Sequence, residues 1–240
     1  MKYSILTSCN VYKFNWLKNY VKSINSQIIL ADELIFIDDG SKNSYLMEQY
    51  LRKNLNPLIK IIFIKNFLNL GVSKSLNKGL NRINNKIIFR LDIDDTWNKN
   101  HSNYNLNFYK RDKNFLIYSN NYKNHFSGLA DLNLVLDNPT VHSSWIINKN
   151  LCINFKYNFE LPEDFATLSY YYRKNFKFKL VNKKTVNYFS SNLSQSKKIN
   201  ANINIELIKK KNLIFNLKKF SYFIFIKNLG FFGMLKLIVK

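Results

Sequence analysis

Acidic residues are scarce in this chain: 15 stand against 37 basic ones, a formal net charge of +22 over 240 residues. Such an excess points first to a nucleic acid or an anionic membrane surface as a partner. The excess is nearly all lysine, though, spread along the chain among many Asn, Ile, Phe and Tyr, which is the mixture an AT-rich coding bias produces. A charge run is usually a solvated face, so no nucleic-acid partner is expected. Glycine and proline are also few, at six and three, which argues against low complexity and long disordered linkers. The two cysteines, Cys9 and Cys152, sit in apolar contexts without CxxC or His/Cys spacing. They read as small buried residues in a reducing compartment. Apolar runs such as FIFI, Phe223 to Ile226, fall far short of the ~20 residues a membrane-spanning helix needs. The opening MKYSILTSCN turns polar too soon for a secretion signal. The expected location is the cytoplasm.

What is present suffices for a core, with 46% hydrophobic and 16% aromatic residues. The first half alternates between two periodicities. Tyr3 to Cys9, the apolar run from Glu33 to Ser41, Ile59 to Asn66, and the KIIFRLD stretch read as strands. Between them, Trp16, Leu17, Tyr20, Val21 and Ile24 recur at helical spacing. Leu46, Tyr50 and Leu51 suggest a second helix stopped near Pro57, and Val72 to Ile83 a third, opened by Gly71 and Ser73. Strands alternating with helices over about 95 residues predict stacked βαβ units and a parallel sheet. The near-continuous apolar strands fit a sheet covered on both faces.

Against the general shortage of acids, Asp92, Asp94 and Asp95 crowd into four positions at the end of the fourth strand. Ligands of such sheets bind beyond the carboxyl ends of the strands, where Asn10, Asp38, Asp39 and Asn66 also fall. Three close carboxylates raise each other's pKa unless a cation lies among them. Hard oxygen ligands without His or Cys favour Mg²⁺ or Mn²⁺ over zinc. Capping of the next helix is the plainer alternative, but one Asp suffices for a cap.

In order, SILTSCN, Ser26-Gln27, IFIDDGS, NLGVSKSLNKGL, FRLDIDD, NPTVHSSWIINK and LPEDF resemble the family 2 glycosyltransferases over residues 3 to about 195. The resemblance implies an α/β, Rossmann-like GT-A fold: a mostly parallel central sheet flanked by helices. The glycosyltransferase domain would cover 1–200, its nucleotide-sugar half about 1–98 and its acceptor half about 99–200. A basic, aromatic, helical extension would follow over 201–240. The implied donor is a nucleoside-diphosphate sugar, with UDP favoured. Asn10 and Asp39, with Asp38 beside them, would meet its base and ribose. Asp92 would hold the ribose or diphosphate side, and Asp94 would be the main ligand of Mn²⁺ or Mg²⁺, with Asp92 and Asp95 beside it. Lys74, on a helix N-terminus suited to anions, would face the nucleotide; Gly79 reads equally as a packing contact. Arg90, on a buried strand, must pair with a carboxylate or a phosphate. His142 would lie near the acceptor or diphosphate, unless it is structural. For Trp97 and Trp145 core packing is the default, with stacking on a sugar or base as the alternative.

Acceptor chemistry falls to Glu163 and Asp164. Attack of a hydroxyl on an anomeric carbon needs a carboxylate to take the proton. The resemblance makes Asp164 that base, with Glu163 as helper or cap, and implies an inverting transfer to a glycan or lipid-linked acceptor in surface polysaccharide or lipopolysaccharide synthesis. The alternative is a catalytically silent nucleotide-sugar-binding module. The chain departs from the family at Phe189, where a basic residue is usual, so His142 or a nearby Lys would have to meet the diphosphate. Residues 209–240 mix Lys with Phe, Leu and Ile and have no acid, a composition suited to amphipathic helices on an anionic membrane surface. Packing of those helices on the domain is the other reading.

Overall fold

The structure is a computed structural model of the chain and describes residues 1–119, 140–151, 154–156, 163–181 and 183–189. All of these fall in one compact unit. Cys152, Pro162 and the extension expected over 201–240 lie outside the described residues.

The first half folds as its periodicity predicts. Strands β1 (Ser4–Cys9), β2 (Glu33–Asp39), β3 (Lys60–Asn66) and β4 (Ile87–Arg90) alternate with helices α1 (Phe14–Asn25), α2 (Ser44–Asn54) and α3 (Val72–Leu80). The four strands are parallel, in the order β3-β2-β1-β4. Successive side chains of a strand point to opposite faces, and both faces are apolar. Ile5, Leu34, Phe36 and Phe89 pack with Leu17, Tyr20 and Ile24 of α1 and with Met47 and Leu51 of α2. Leu6, Ile35, Ile37 and Ile88 pack on the other side with Leu76 and Leu80 of α3.

Gly79 is what lets α3 lie close. A Cβ there would sit 2.6 Å from the Leu6 Cδ1 and 2.7 Å from the Ile37 Cδ1. The helix also ends three residues earlier than its pattern suggests, with Asn81 as cap; Ile83 completes the apolar stripe from beyond the helix end.

Beyond β4 the elements shorten. They are β5 (Thr96–Trp97), α4 (His101–Arg111), β6 (Ile117–Ser119), a single 3-10 turn His142–Ser144, β7 (Trp145–Asn148), α5 (Glu163–Arg173), β8 (Phe178–Leu180) and β9 (Val186–Asn187). The sheet continues β4-β7-β6-β8, giving seven strands among the described residues. Strand β7 runs antiparallel to β4 and β6, and β8 runs parallel to β6. Strands β5 and β9 form a separate antiparallel pair. Among the described residues no helix is long and apolar enough to cross a membrane.

Candidate active site

The chain steps from β1 outward to β2 and β3, then returns through α3 to place β4 on the other side of β1. Ligands of open α/β sheets bind at such a reversal, beyond the carboxyl ends of the strands. Asn10 leaves the end of β1 and is exposed. Asp38 is fully buried at the end of β2: its Oδ1 accepts the Ser41 N–H at 3.0 Å, and its Oδ2 has no partner among the described residues. Asp39 Oδ1 accepts from Asn66 Nδ2 at 2.9 Å and from the Leu70 amide at 2.8 Å. Asn66 in turn donates to Ser75 Oγ and accepts from Lys78 Nζ, each at 2.8 Å.

At the end of β4, Arg90 is wholly buried. Its guanidinium donates to the Leu6 carbonyl at 2.6 Å, to the Leu91 carbonyl at 3.1 Å and to the Asp92 carboxylate. The structure therefore gives Arg90 a carboxylate partner. Nε of Arg90 donates to His142 Nε2 at 3.2 Å. Nη2 of Arg90 also lies 3.4 Å from His142 Nδ1, which faces Glu163 Oε2 at 3.5 Å and Asp92 Oδ2 at 3.7 Å. Burial and then Arg90 push the His142 imidazole down to about 3, so it is neutral near pH 7. Burial would raise the Asp92 carboxyl, but Arg90 outweighs it and holds the group below the usual carboxylate range. Burial, then the Asp164 charge, push the Glu163 carboxyl well above its ordinary value. Its Oε1 is buried without a partner among the described residues. Its neighbour Asp164, half-buried, accepts the Phe165 N–H at 2.8 Å.

A helix dipole alone does not account for this acidic pair. Helices α1 to α4 form without an acid in the first turn; α5 carries two, in a chain with only 15.

Ser143 ties the turn after β4 to the second half. Its Oγ accepts the Asp92 amide at 2.9 Å and donates to Asp95 Oδ2. The other oxygen of Asp95 accepts the Phe189 amide at 2.8 Å, just after β9. Burial and Asp92 raise the Asp95 carboxyl to about 7. Asp94 has no such anchors among the hydrogen bonds described; burial and Asp92 raise it to about 6, while Arg90 and Lys13 pull the other way. The three carboxylates thus part company: one is on Arg90, one on Ser143 and Phe189, and one is half-buried within the electrostatic reach of Lys13. Among the described residues no group of three His, Cys, Asp or Glu side chains forms a ready metal cage.

The family description Glycosyl transferase family 2 matches residues 4–180. The chain belongs to glycosyl transferase family 2. Curated relatives of this family 2 chain include the amylovoran biosynthesis glycosyltransferase AmsE of Erwinia amylovora, 35% identical over 39% of this chain and 35% of AmsE. Another is the bifunctional glycosyltransferase pgtA of Dictyostelium discoideum, 41% identical over 37% of this chain and 12% of pgtA. The matched stretch therefore spans well under half the length of either relative. Among solved structures, Staphylococcus aureus TarS 1-349 in complex with UDP-GlcNAc superposes with a TM-score of 0.60 at 15% identity, over 88% of this chain and 68% of that one. The mannosyltransferase PcManGT of Pyrobaculum calidifontis, in complex with GDP-Man and Mn²⁺, gives 0.59 at 12% identity, over 75% and 55%. These likenesses establish the GT-A fold.

Within this family 2 fold, Trp97 and Trp145 are core residues. Trp97 donates to the Ser143 carbonyl at 2.9 Å and stacks on His101 at 4.4 Å, and Trp145 donates to Thr140 Oγ1 at 2.7 Å. Lys74 is exposed on the first turn of α3. Sequence reasoning missed Ser143, Lys13 and Lys78. Lys13 lies over the Trp16 ring at 4.0 Å, and Trp16 meets Phe189 edge-on at 6.2 Å. A lysine four residues beyond the end of β1 was the available signal. For Ser143, one serine in NPTVHSSW, there was none.

Proposed function

We propose that this chain is an inverting glycosyltransferase that moves a sugar from a nucleoside-diphosphate donor, UDP favoured, to a hydroxyl of a glycan or lipid-linked acceptor. The product would be a cell-surface polysaccharide or lipopolysaccharide. The observation that carries the reading is the meeting of Asp92, His142 and Glu163 through Arg90 at the β1/β4 reversal, in a chain of this family. That meeting brings the acidic start of α5 to the edge where Asp38 and Asp39 end β2 and Asp94 follows β4. The donors held by TarS and PcManGT, a UDP-sugar and a GDP-sugar, support a nucleotide sugar here.

Each residue then has a task. The orphaned Asp38 Oδ2 and the exposed Asn10 suit polar groups of a nucleoside, with Asp39 shaping the turn beside them. Lys74, on the first turn of α3, and Lys13 beside Asp94 are the cations nearest in chemistry to a diphosphate; Lys13 takes the place left by Phe189. Asp94 fits a divalent ion: its carboxyl is raised by its surroundings, and a cation would reverse that. With Asp92 committed to Arg90 and Asp95 to Ser143, Mn²⁺ or Mg²⁺ would draw its remaining ligands from donor phosphates and water, as these ions usually do. Such an ion supplies charge neutralisation for the departing diphosphate. Asp164 takes the proton of the acceptor hydroxyl as its oxygen bonds to the anomeric carbon and the bond to the diphosphate breaks. One displacement inverts that carbon. Glu163, its carboxyl raised by burial and turned toward His142, fixes the start of α5 and leaves Asp164 as the base. His142 positions; it does not react.

The test pairs binding with turnover. Melting temperatures with UDP, GDP and dTDP, each with and without Mn²⁺, should rise for one nucleotide in the presence of metal. Asp164→Asn should keep that shift and lose roughly 10²- to 10⁴-fold in transfer rate. No shift with any nucleotide, or full transfer by the variant, would overturn the proposal.

A further inference from the structure

We propose that the connections leaving the carboxyl ends of β1, β2 and β3 form a docking face for an anionic lipid bilayer. Fourteen large apolar residues are exposed among the described residues, and half of them lie in these three connections or in the first turn of the helix that follows. They include Phe14 (49% exposed) after β1, Tyr45 (69%) and Leu46 (48%) after β2, and Phe67 (93%), Leu68 (66%) and Leu70 (43%) after β3. Single exposed apolar residues are ordinary, whereas their concentration along one edge marks an interaction site.

The three connections touch. A Cβ on Gly40 would lie 2.6 Å from the backbone of both Leu68 and Asn69, and the Phe14 ring meets Tyr50 of α2 at 5.3 Å. The loop that displays Phe67 and Leu68 is held in shape. Asp39 accepts the Leu70 amide at 2.8 Å, and Asn69 Oδ1 accepts the Gly71 amide at 2.9 Å. An apolar tip presented by a braced loop is exposed by construction.

Charge selects the partner. Lys13, Lys42, Lys65 and Lys74 are exposed on the same segments, while the acids there, Asp38 and Asp39, are 0% and 2% exposed. The outward charge on these segments is mainly positive, and the next acid along α2, Glu48, is paired with Arg52. Lysine is depleted from protein–protein interfaces, but lysine around aromatic and leucine side chains is the pattern of a surface lying in the interfacial region of an anionic membrane. This face adjoins the candidate active site through the Asp39–Leu70 bond, so docking would turn the site's rim toward the bilayer. The proposal uses none of the residues of the 209–240 extension and does not depend on the transfer reading, since vesicle binding needs no donor.

The experiment is cosedimentation of the full chain with phosphatidylcholine vesicles, with and without phosphatidylglycerol. Comparators are the double variants Phe67→Ser/Leu68→Ser and Lys42→Glu/Lys65→Glu. The wild type should bind the anionic vesicles, and each double variant should lose about tenfold in partitioning. Melting temperatures should be unchanged, because all four side chains are exposed. Equal partitioning of wild type and variants would overturn the proposal, as would absence of binding by the wild type. So would an oligonucleotide affinity or a dimer that the Phe67/Leu68 variant abolishes while vesicle binding persists.

Discussion

From β1 to β4 the sheet is apolar on both faces and its strands pair in long parallel registers, so its cohesion is spread over many similar contacts. From β7 to β9 the strands have two to four residues, and beside buried apolar side chains such as Trp145, Ile147 and Leu168 a few buried polar groups reach across the chain. Arg90 meets His142 across 52 positions, Ser143 meets Asp95 across 48, and Phe189 meets Asp95 across 94. Dispersed apolar packing degrades gradually under substitution, whereas a polar hub fails when one member is removed. Charge is placed accordingly. The acids at the opposite end of the sheet are plain structural acceptors: Asp32 takes the Tyr3 amide at 2.9 Å and Glu33 the Ser4 hydroxyl at 2.6 Å.

Substitutions can break this contrast. Arg90→Met should be the most damaging, because it leaves Asp92 without its cation; removing one partner of a buried pair costs about 3–5 kcal/mol. Urea denaturation measures it, and a loss under about 1 kcal/mol would mean that the polar hub does not hold the second half. Ser143→Ala removes one oxygen and strands both the Asp92 amide and Asp95 Oδ2, for about 1–3 kcal/mol. Leu76→Ala in the apolar half should match or exceed that, at about 2–5 kcal/mol, but only by deleting three carbons.

Acid should separate the halves further. His101, stacked on Trp97 and bonded to Thr185, is pushed by burial to about 3, like His142. An imidazole whose folded pKa lies below its unfolded value of about 6.5 binds its proton more readily when unfolded. Stability then falls as pH drops from about 6.5 toward 3, by up to about 1.4 kcal/mol per pH unit for each imidazole. Asp94, Asp95 and Glu163, with raised pKa values, act in the opposite sense. The clean signature is therefore the difference between wild type and His101→Phe, whose melting curves should converge toward acid pH. Lys78→Ala is the smallest change, deleting one partly exposed bond to Asn66 for under about 1 kcal/mol. A larger loss would show that the apolar half too depends on a polar hub.

The same contrast explains what was legible in the sequence. Ile35, Phe36 and Ile37, or Leu17, Tyr20 and Ile24, announce strand and helix by their own spacing. The positions of β1 to β4, and of the acids that end them, follow from that spacing within a residue or two. The short strands β5 and β9 offer two residues each, too few for any period. That Asp92, Asp94 and Asp95 would each take a different partner was not legible either, since those partners are chosen by three-dimensional neighbours such as Ser143. Arg90 was half-readable: burial demanded a partner, and the structure chose a carboxylate.

Asp95 grips residue 189 by its main-chain N–H, and every amino acid except proline offers that same group. The fastening is therefore blind to the side chain it fastens. Phe189, 53% exposed against Trp16, can drift among basic, aromatic or small residues without loosening the strand that carries it. The rim of the site is free to diversify while its frame stays put, and proline is the one replacement that would undo both.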